Sequence, residues 1–207
     1  MIYLCGAGGH AKVVLEILEA QKLSTIEIID EYKEGTVNDL PISGKSIPGK
    51  IEATDQVIIA IGNNQVRKYI SEKYQSVKYI NVIHPSSNVS PRVILGEGSV
   101  IMAGVSINAD TIIGKHSILN TNCSVDHDNK IGSFVHISPN VALAGNVQVG
   151  DGTHIGIGAC VIQGIRIGKW ATIGAGAVIV KDIPDYAVVV GNPGKIIKYH
   201  STNIEEI

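Results

Sequence analysis

The residues Val125-Asp126-His127-Asp128 place an imidazole between two carboxylates near the middle of the chain. A carboxylate beside a histidine fixes its tautomer and raises its basicity, so the arrangement suits a general base acting on a substrate proton. A lone His-Asp pair also fits a solvated polar corner. His136 and His154 are eighteen residues apart and could form a metal pair. A catalytic metal needs a third neutral imidazole and an open water position. The expected pair spaced five apart is missing among His84, His116, His127, His136 and His154, so no metal is expected.

A second candidate lies at the start, MIYLCGAGGHAKVV. Gly6, Gly8 and Ala11 fit G-x-G-x-x-G/A between an apolar run, Ile2 to Cys5, and a helical pattern at Val13, Val14, Ile17 and Leu18. Gly8, Gly9 and His10 then fall at a helix N-terminus, where free N–H groups and the dipole suit a diphosphate. Asp30 and Glu31 close a second apolar run, where a ribose-binding carboxylate belongs. The stretch AIGNN, ending in Asn64, repeats the logic at Gly62 with a helix-capping Asn. Glycine-rich strand-to-helix turns also occur as plain geometry.

The elements that must hold these groups follow from periodicity. Every sixth residue from Ile83 through Val89, Leu95 and Ile101 to Ile179 is Ile, Val or Leu, seventeen positions without a break. Chance would give this roughly once in 10⁵ even if half the residues were such aliphatics. A hexapeptide period is the signature of a parallel β-helix. Three residues after each aliphatic comes a corner, where Gly, Asn or Asp fills twelve of seventeen places and tolerates positive φ. Three hexapeptides make an eighteen-residue coil, about five and a half coils in all. His136 and His154 then stack on adjacent coils, while His127 and His136 lie across the triangle, too far apart to share one reacting centre in one chain. Outward apolar residues Ile94, Val100, Ile112 and Ile118 ask for cover, so a symmetric trimer is expected.

Before residue 83 the pattern predicts strands near 2–5, 26–30, 57–61 and 78–82 and helices near 9–21 and 63–74. That is half of a dinucleotide-binding fold, enough for one nucleotide but hardly NAD. The expected layout is an α/β unit at 1–82 and a β-helix at 83–207. A net charge of −2 without a basic cluster argues against nucleic acid or anionic membrane as partner. There is no membrane-length apolar run and no signal-peptide pattern, so a cytoplasmic protein is expected. Cys5, Cys123 and Cys160 lack C-x-x-C spacing and read as small buried fillers.

Taken together, GAGGHAKVV, AIGNNQVRK, IHPSSNVSP, ILNTNCSVDHD, LAGNVQVG and VVVGNPGKI resemble the NeuD/PglD family of sugar O- and N-acetyltransferases, nearly end to end. The resemblance implies a left-handed β-helix and acetyl transfer from acetyl-CoA to a nucleotide-linked amino sugar for surface polysaccharide or glycan synthesis. A 4-amino-4,6-dideoxyhexose on UDP, GDP or dTDP is the expected acceptor. It also implies His127 as catalytic base with Asp128 as supporting acid, where the bacillosamine-type enzymes carry Glu. Acetyl-CoA contacts are implied at His136, at Gly145 as an oxyanion-binding N–H, and near Ile157 and Ala175, with GNPGK replacing the more usual G-x-P-A-K. Sugar-nucleotide contacts are implied at Gly8, Gly9, His10, Asp30, Glu31 and Gly62. Two alternatives remain open: O-acetylation of sialic acid or another sugar hydroxyl, and a non-catalytic β-helix that binds a sugar nucleotide.

Overall fold

The structure is a computed structural model that describes residues 1–49 and 52–201. Strand β1 (Ile2–Cys5) leads through the glycine turn into helix α1 (Gly9–Ala20) and strand β2 (Ile26–Ile29). A hairpin of β3 (Thr36–Val37) and β4 (Leu40–Gly44) follows, then β5 (Gln56–Ile59) and helix α2 (Asn64–Lys73). The sheet order is β3-β4-β2-β1-β5, with β4, β2, β1 and β5 parallel. Chain direction across the sheet reverses at β1, which places a crevice at the carboxyl ends of β1, β2 and β5. Gly6 makes the turn possible. Its φ is +115°, and a Cβ there would meet Ala60 O at 2.9 Å.

Two expectations need correction here. No strand runs from 78 to 81; Tyr79 makes only an isolated bridge to Val57, because the chain is already turning into the first coil at Val82–Ile83. The β3–β4 hairpin was not expected, although its turn residues Asn38 and Asp39 adopt φ of 45° and 66°, the backbone that Asn and Asp tolerate.

From Val82 the chain winds as a left-handed parallel β-helix of three faces built from two-residue strands. The first face carries Ile118–Leu119, His136–Ile137 and His154–Ile155, the second Ser106–Ile107, Ser124–Val125 and Ala142–Leu143, the third Ile112–Ile113, Lys130–Ile131 and Gln148–Val149. Successive coils pair at eighteen residues, as in Val82↔Val100 and His136↔His154. The last coil is shorter: Thr172 pairs with Val188, sixteen residues on. The aliphatic column points inward, and from Ile101 to Ile179 each member is at most 3% exposed. All fourteen corners from Gly98 to Gly176 have positive φ, including His116, Phe134 and Trp170, which cannot claim glycine's freedom.

The outward apolar residues divide. Ile94 (64% exposed) and Ile112 (41%) on the third face are open. Val100 and Ile118 are not open, because they lie on the first face within the same apolar cluster as Val14, Leu15 and Leu18 of α1. The chain's own α/β part covers that face, so these two residues call for no second subunit. Cys5 and Cys123 are buried as expected, whereas Cys160 is exposed on the second face.

Candidate active site

His127 sits two residues past the second-face strand Ser124–Val125, at the turn towards Lys130–Ile131. Its Nδ1 lies 2.7 Å from Asp128 Oδ2. A carboxylate only accepts, so Nδ1 carries the proton and Nε2 presents a lone pair. The Asp128 hydrogen bond, reinforced by the charge of Asp126, holds the His127 pKa above its ordinary 6.5. Asp126 is held in turn. Its Oδ1 accepts from Asn108 Nδ2 at 2.8 Å and from the His127 backbone N–H at 2.8 Å, bonds that keep its carboxyl below the usual range. Fully buried Asn129 ties the turn down from inside, donating to Asp126 O at 2.6 Å and accepting from Val147 N at 2.8 Å. Asn108 and Asn129 escaped the sequence reading, although Asn108 is one coil before Asp126 and countable from the period.

One coil on from His127 lies Gly145. A Cβ there would stand 2.7 Å from His127 Cε1 and 2.8 Å from Nε2, so only a glycine lets the ring rest on the next coil. Gly145 backbone and the basic nitrogen are therefore neighbours. Ile157 and Ala175 are both exposed and follow the first-face strands on successive coils, eighteen residues apart, on another corner. The chain thus brings His127, Asp128 and Gly145 together and leaves Ile157 and Ala175 elsewhere on its surface.

His136 belongs to a different environment. It stacks on His154 with ring centroids 5.1 Å apart, and its Nε2 accepts from Asn120 Nδ2 at 3.1 Å, Asn120 Oδ1 being taken by Thr121 N. Burial, with the nearby His154, Arg67 and His10, drives the His136 pKa down to about 3. His10, in the first turn of α1, is pushed down to about 4 by burial and by Arg67, and its Nε2 has no hydrogen-bond partner among the described residues. Both rings are neutral at pH 7.

The two helix starts differ. At α2, Asn63 Oδ1 accepts from Gln65 N and Val66 N, which is the capping Asn expected from AIGNN, so these N–H groups are taken by the chain itself. At α1, Gly8 supplies no side-chain cap, and nothing stands within 4 Å of where a Gly9 Cβ would be. Lys33, missed in the sequence, brings its ammonium beside this turn, 3.2 Å from Ala7 O and 3.9 Å from a Gly8 Cβ position. An uncapped helix start beside a cation is suited to an anion. Asp30 is more occupied than expected: its carboxylate accepts from the backbone N–H groups of Ala7, Tyr32 and Lys33, shaping the loop. Glu31 is exposed, and both acids line a cavity of about 290 Å³ with Cys5, Ile29, Ile61 and Tyr69 at the strand ends. Among the described residues, no group of three His, Cys, Asp or Glu side chains is placed to hold a metal.

Residues 1–74 match the family model of the PglD N-terminal domain. The acetyltransferase domain of PglB from Neisseria gonorrhoeae superposes with a TM-score of 0.91 at 40% identity, covering 95% of this chain and 98% of that one, and has also been solved with acetyl coenzyme A. The chain belongs to the NeuD/PglD family of sugar acetyltransferases. A His-to-Ala variant of GDP-perosamine N-acetyltransferase from Caulobacter crescentus, in complex with CoA and GDP-perosamine, matches at 40% identity and TM-score 0.89 over 95% of this chain and 96% of that one. UDP-N-acetylbacillosamine N-acetyltransferase from Bacillus subtilis (strain 168) is 39% identical over 115 residues, 49% of this chain. That match spans 51% of the Bacillus protein, about half its length.

Proposed function

We propose that this protein transfers the acetyl group of acetyl-CoA directly to the amine of a nucleotide-linked amino sugar, with His127 as general base. The observation that carries the reading is the His127–Asp128 pair at 2.7 Å with Gly145 beneath its ring. His127 Nε2 takes the amine proton as the nitrogen attacks the thioester, and Asp128 supports the resulting imidazolium. The Gly145 N–H receives the charge that grows on the carbonyl oxygen. His136, Ile157 and Ala175 contribute to acetyl-CoA binding. The α1 turn at Gly8, Gly9 and His10, aided by Lys33, takes the diphosphate, while the cavity beside Asp30 and Glu31 takes the nucleoside and Gly62 borders the crevice. Two ligand classes support the reading, since the proteins above were solved with CoA and GDP-perosamine or with acetyl coenzyme A.

Within one chain the α1 turn packs on the first-face side, whereas His127 projects between the second and third faces. The reading therefore requires a trimer in which His127 of one subunit meets the crevice of a neighbour, with Ile94 and Ile112 in the contact. It places the enzyme in the cytoplasm, in surface polysaccharide or glycan synthesis. A thiol-release assay with acetyl-CoA and a panel of UDP-, GDP- and dTDP-amino sugars, run beside sialic acid and neutral sugars, tests it. Release with one amino sugar is expected. Release only with sialic acid or another sugar hydroxyl transfers the same base to O-acetylation, and nucleotide-sugar binding without release leaves a binding scaffold.

A further inference from the structure

Arg67, on α2, is 1% exposed and is the bulkiest fully buried side chain among the described residues. Its Nε donates to His116 O at 2.7 Å, and its Nη1 to Ile61 O and Gly62 O at 2.9 and 3.2 Å. Its Nη2 donates to Asn64 Oδ1 at 2.8 Å and to Phe134 O at 3.0 Å. All five donors thus meet neutral oxygens, on the β5–α2 side and on successive coils of the β-helix, where Val135 O also accepts from Nη2 at 3.5 Å. No carboxylate pairs with this guanidinium among the described residues. Burying an unpaired charge is costly, and a neutral side chain would be the cheaper filler. What a neutral residue or a lysine lacks is the planar fork that grips both backbones at once.

We propose that Arg67 is a positioning residue for the sugar-nucleotide crevice: it pins the Ile61–Gly62 turn to the β-helix backbone, so that the wall carrying Gly62 and the wall carrying His136 keep one spacing. His136 immediately follows Val135, whose neighbour Phe134 supplies one of the gripped carbonyls. Asn64 doubles the fastening, since its Nδ2 donates to Gly152 O at 3.0 Å on the next coil while its Oδ1 holds the guanidinium. Lowered pKa values at His10, His136 and His154, each owed in part to Arg67 after burial, agree with a fixed cation behind the crevice. The proposal rests on the crevice being the sugar-nucleotide site.

The test uses Arg67→Lys and the milder Asn64→Ala, with amide hydrogen exchange and steady-state kinetics on the full chain. Exchange at residues 61–66 and 133–136 should quicken by about tenfold while the remaining coils keep native rates. The KM for the amino-sugar nucleotide should rise about tenfold in Arg67→Lys, with a smaller rise in acetyl-CoA KM through His136 and no rescue by the retained charge. Unchanged or uniformly raised exchange in folded variants overturns the fastening, as does an equal rise in both KM values. If wild-type protein binds neither UDP, GDP nor dTDP in calorimetry, the crevice assignment fails, and hydrogen exchange alone then decides whether Arg67 fastens the turn.

Discussion

His127 and His136 are nine residues apart, yet the fold gives them opposite chemistry. At the corner, His127 has 60% of its side chain exposed, stands between two carboxylates, and is held above its ordinary pKa. On the first face, His136 is packed under the α/β part against His154 and is driven to about 3. One imidazole is prepared to take a proton and the other to refuse one. The difference is environment alone: a carboxylate partner stabilises the imidazolium, and desolvation beside Arg67 opposes it.

The strongest way to break this contrast is at the base. His127→Ala should lower kcat by roughly 10² to 10⁴ with little change in acetyl-CoA affinity. A native rate would return the corner to a solvated ornament. Gly145→Ala keeps the imidazole but adds a Cβ 2.7 Å from its Cε1. Displacing the ring by about an ångström should cost on the order of 10² in kcat with the circular dichroism unchanged. Full activity in Gly145→Ala would mean that the ring does not work from this position.

Asp128→Asn should have a smaller effect and a diagnostic one. The base acts when neutral, so activity falls as pH drops through its pKa, which Asp128 raises. Losing the carboxylate should move the acid limb of the kcat/KM profile to lower pH while lowering the plateau by about tenfold. An unmoved limb would detach Asp128 from the titration.

The smallest effect concerns the refusing histidine. The folded His136 pKa is about 3, below the 6.5 of the unfolded chain. The unfolded state therefore binds more protons between those values, and stability falls as pH drops from 6.5 towards 3. His136→Asn should flatten the dependence of the urea midpoint on pH between 7 and 4.5. An identical slope would show that His136 does not titrate on unfolding.

What could be read from the sequence tracks how local each feature is. The corner His-Asp cluster was legible because Asp126, His127 and Asp128 are contiguous and the hexapeptide phase places them outside. The β-helix was legible because one inward position repeats without interruption. Arg67 carried no signal: an arginine in a polar helix is unremarkable until its partners at 116 and 134 are folded against it. Val100 and Ile118 show a further limit, since periodicity marks a residue as outward without saying whether the same chain covers it. Asp30 sat in the expected place, yet its acceptor capacity went to three backbone N–H groups that only the folded loop reveals.

The pairing of each coil with the one before and after it makes the β-helix a nearly one-dimensional array, in which stability is shared between nearest neighbours. A fault should therefore spread along the axis in steps of one coil and fade within a few. The sixteen-residue final coil, closed by the antiparallel strand Lys195–Tyr199, is then an end cap whose fraying leaves the His127 corner intact. Amide protection should rise in graded steps from that cap towards the coils clasped by the α/β part. Genetic changes near residue 185 should accordingly alter the lifetime of the folded molecule before they alter its rate of catalysis.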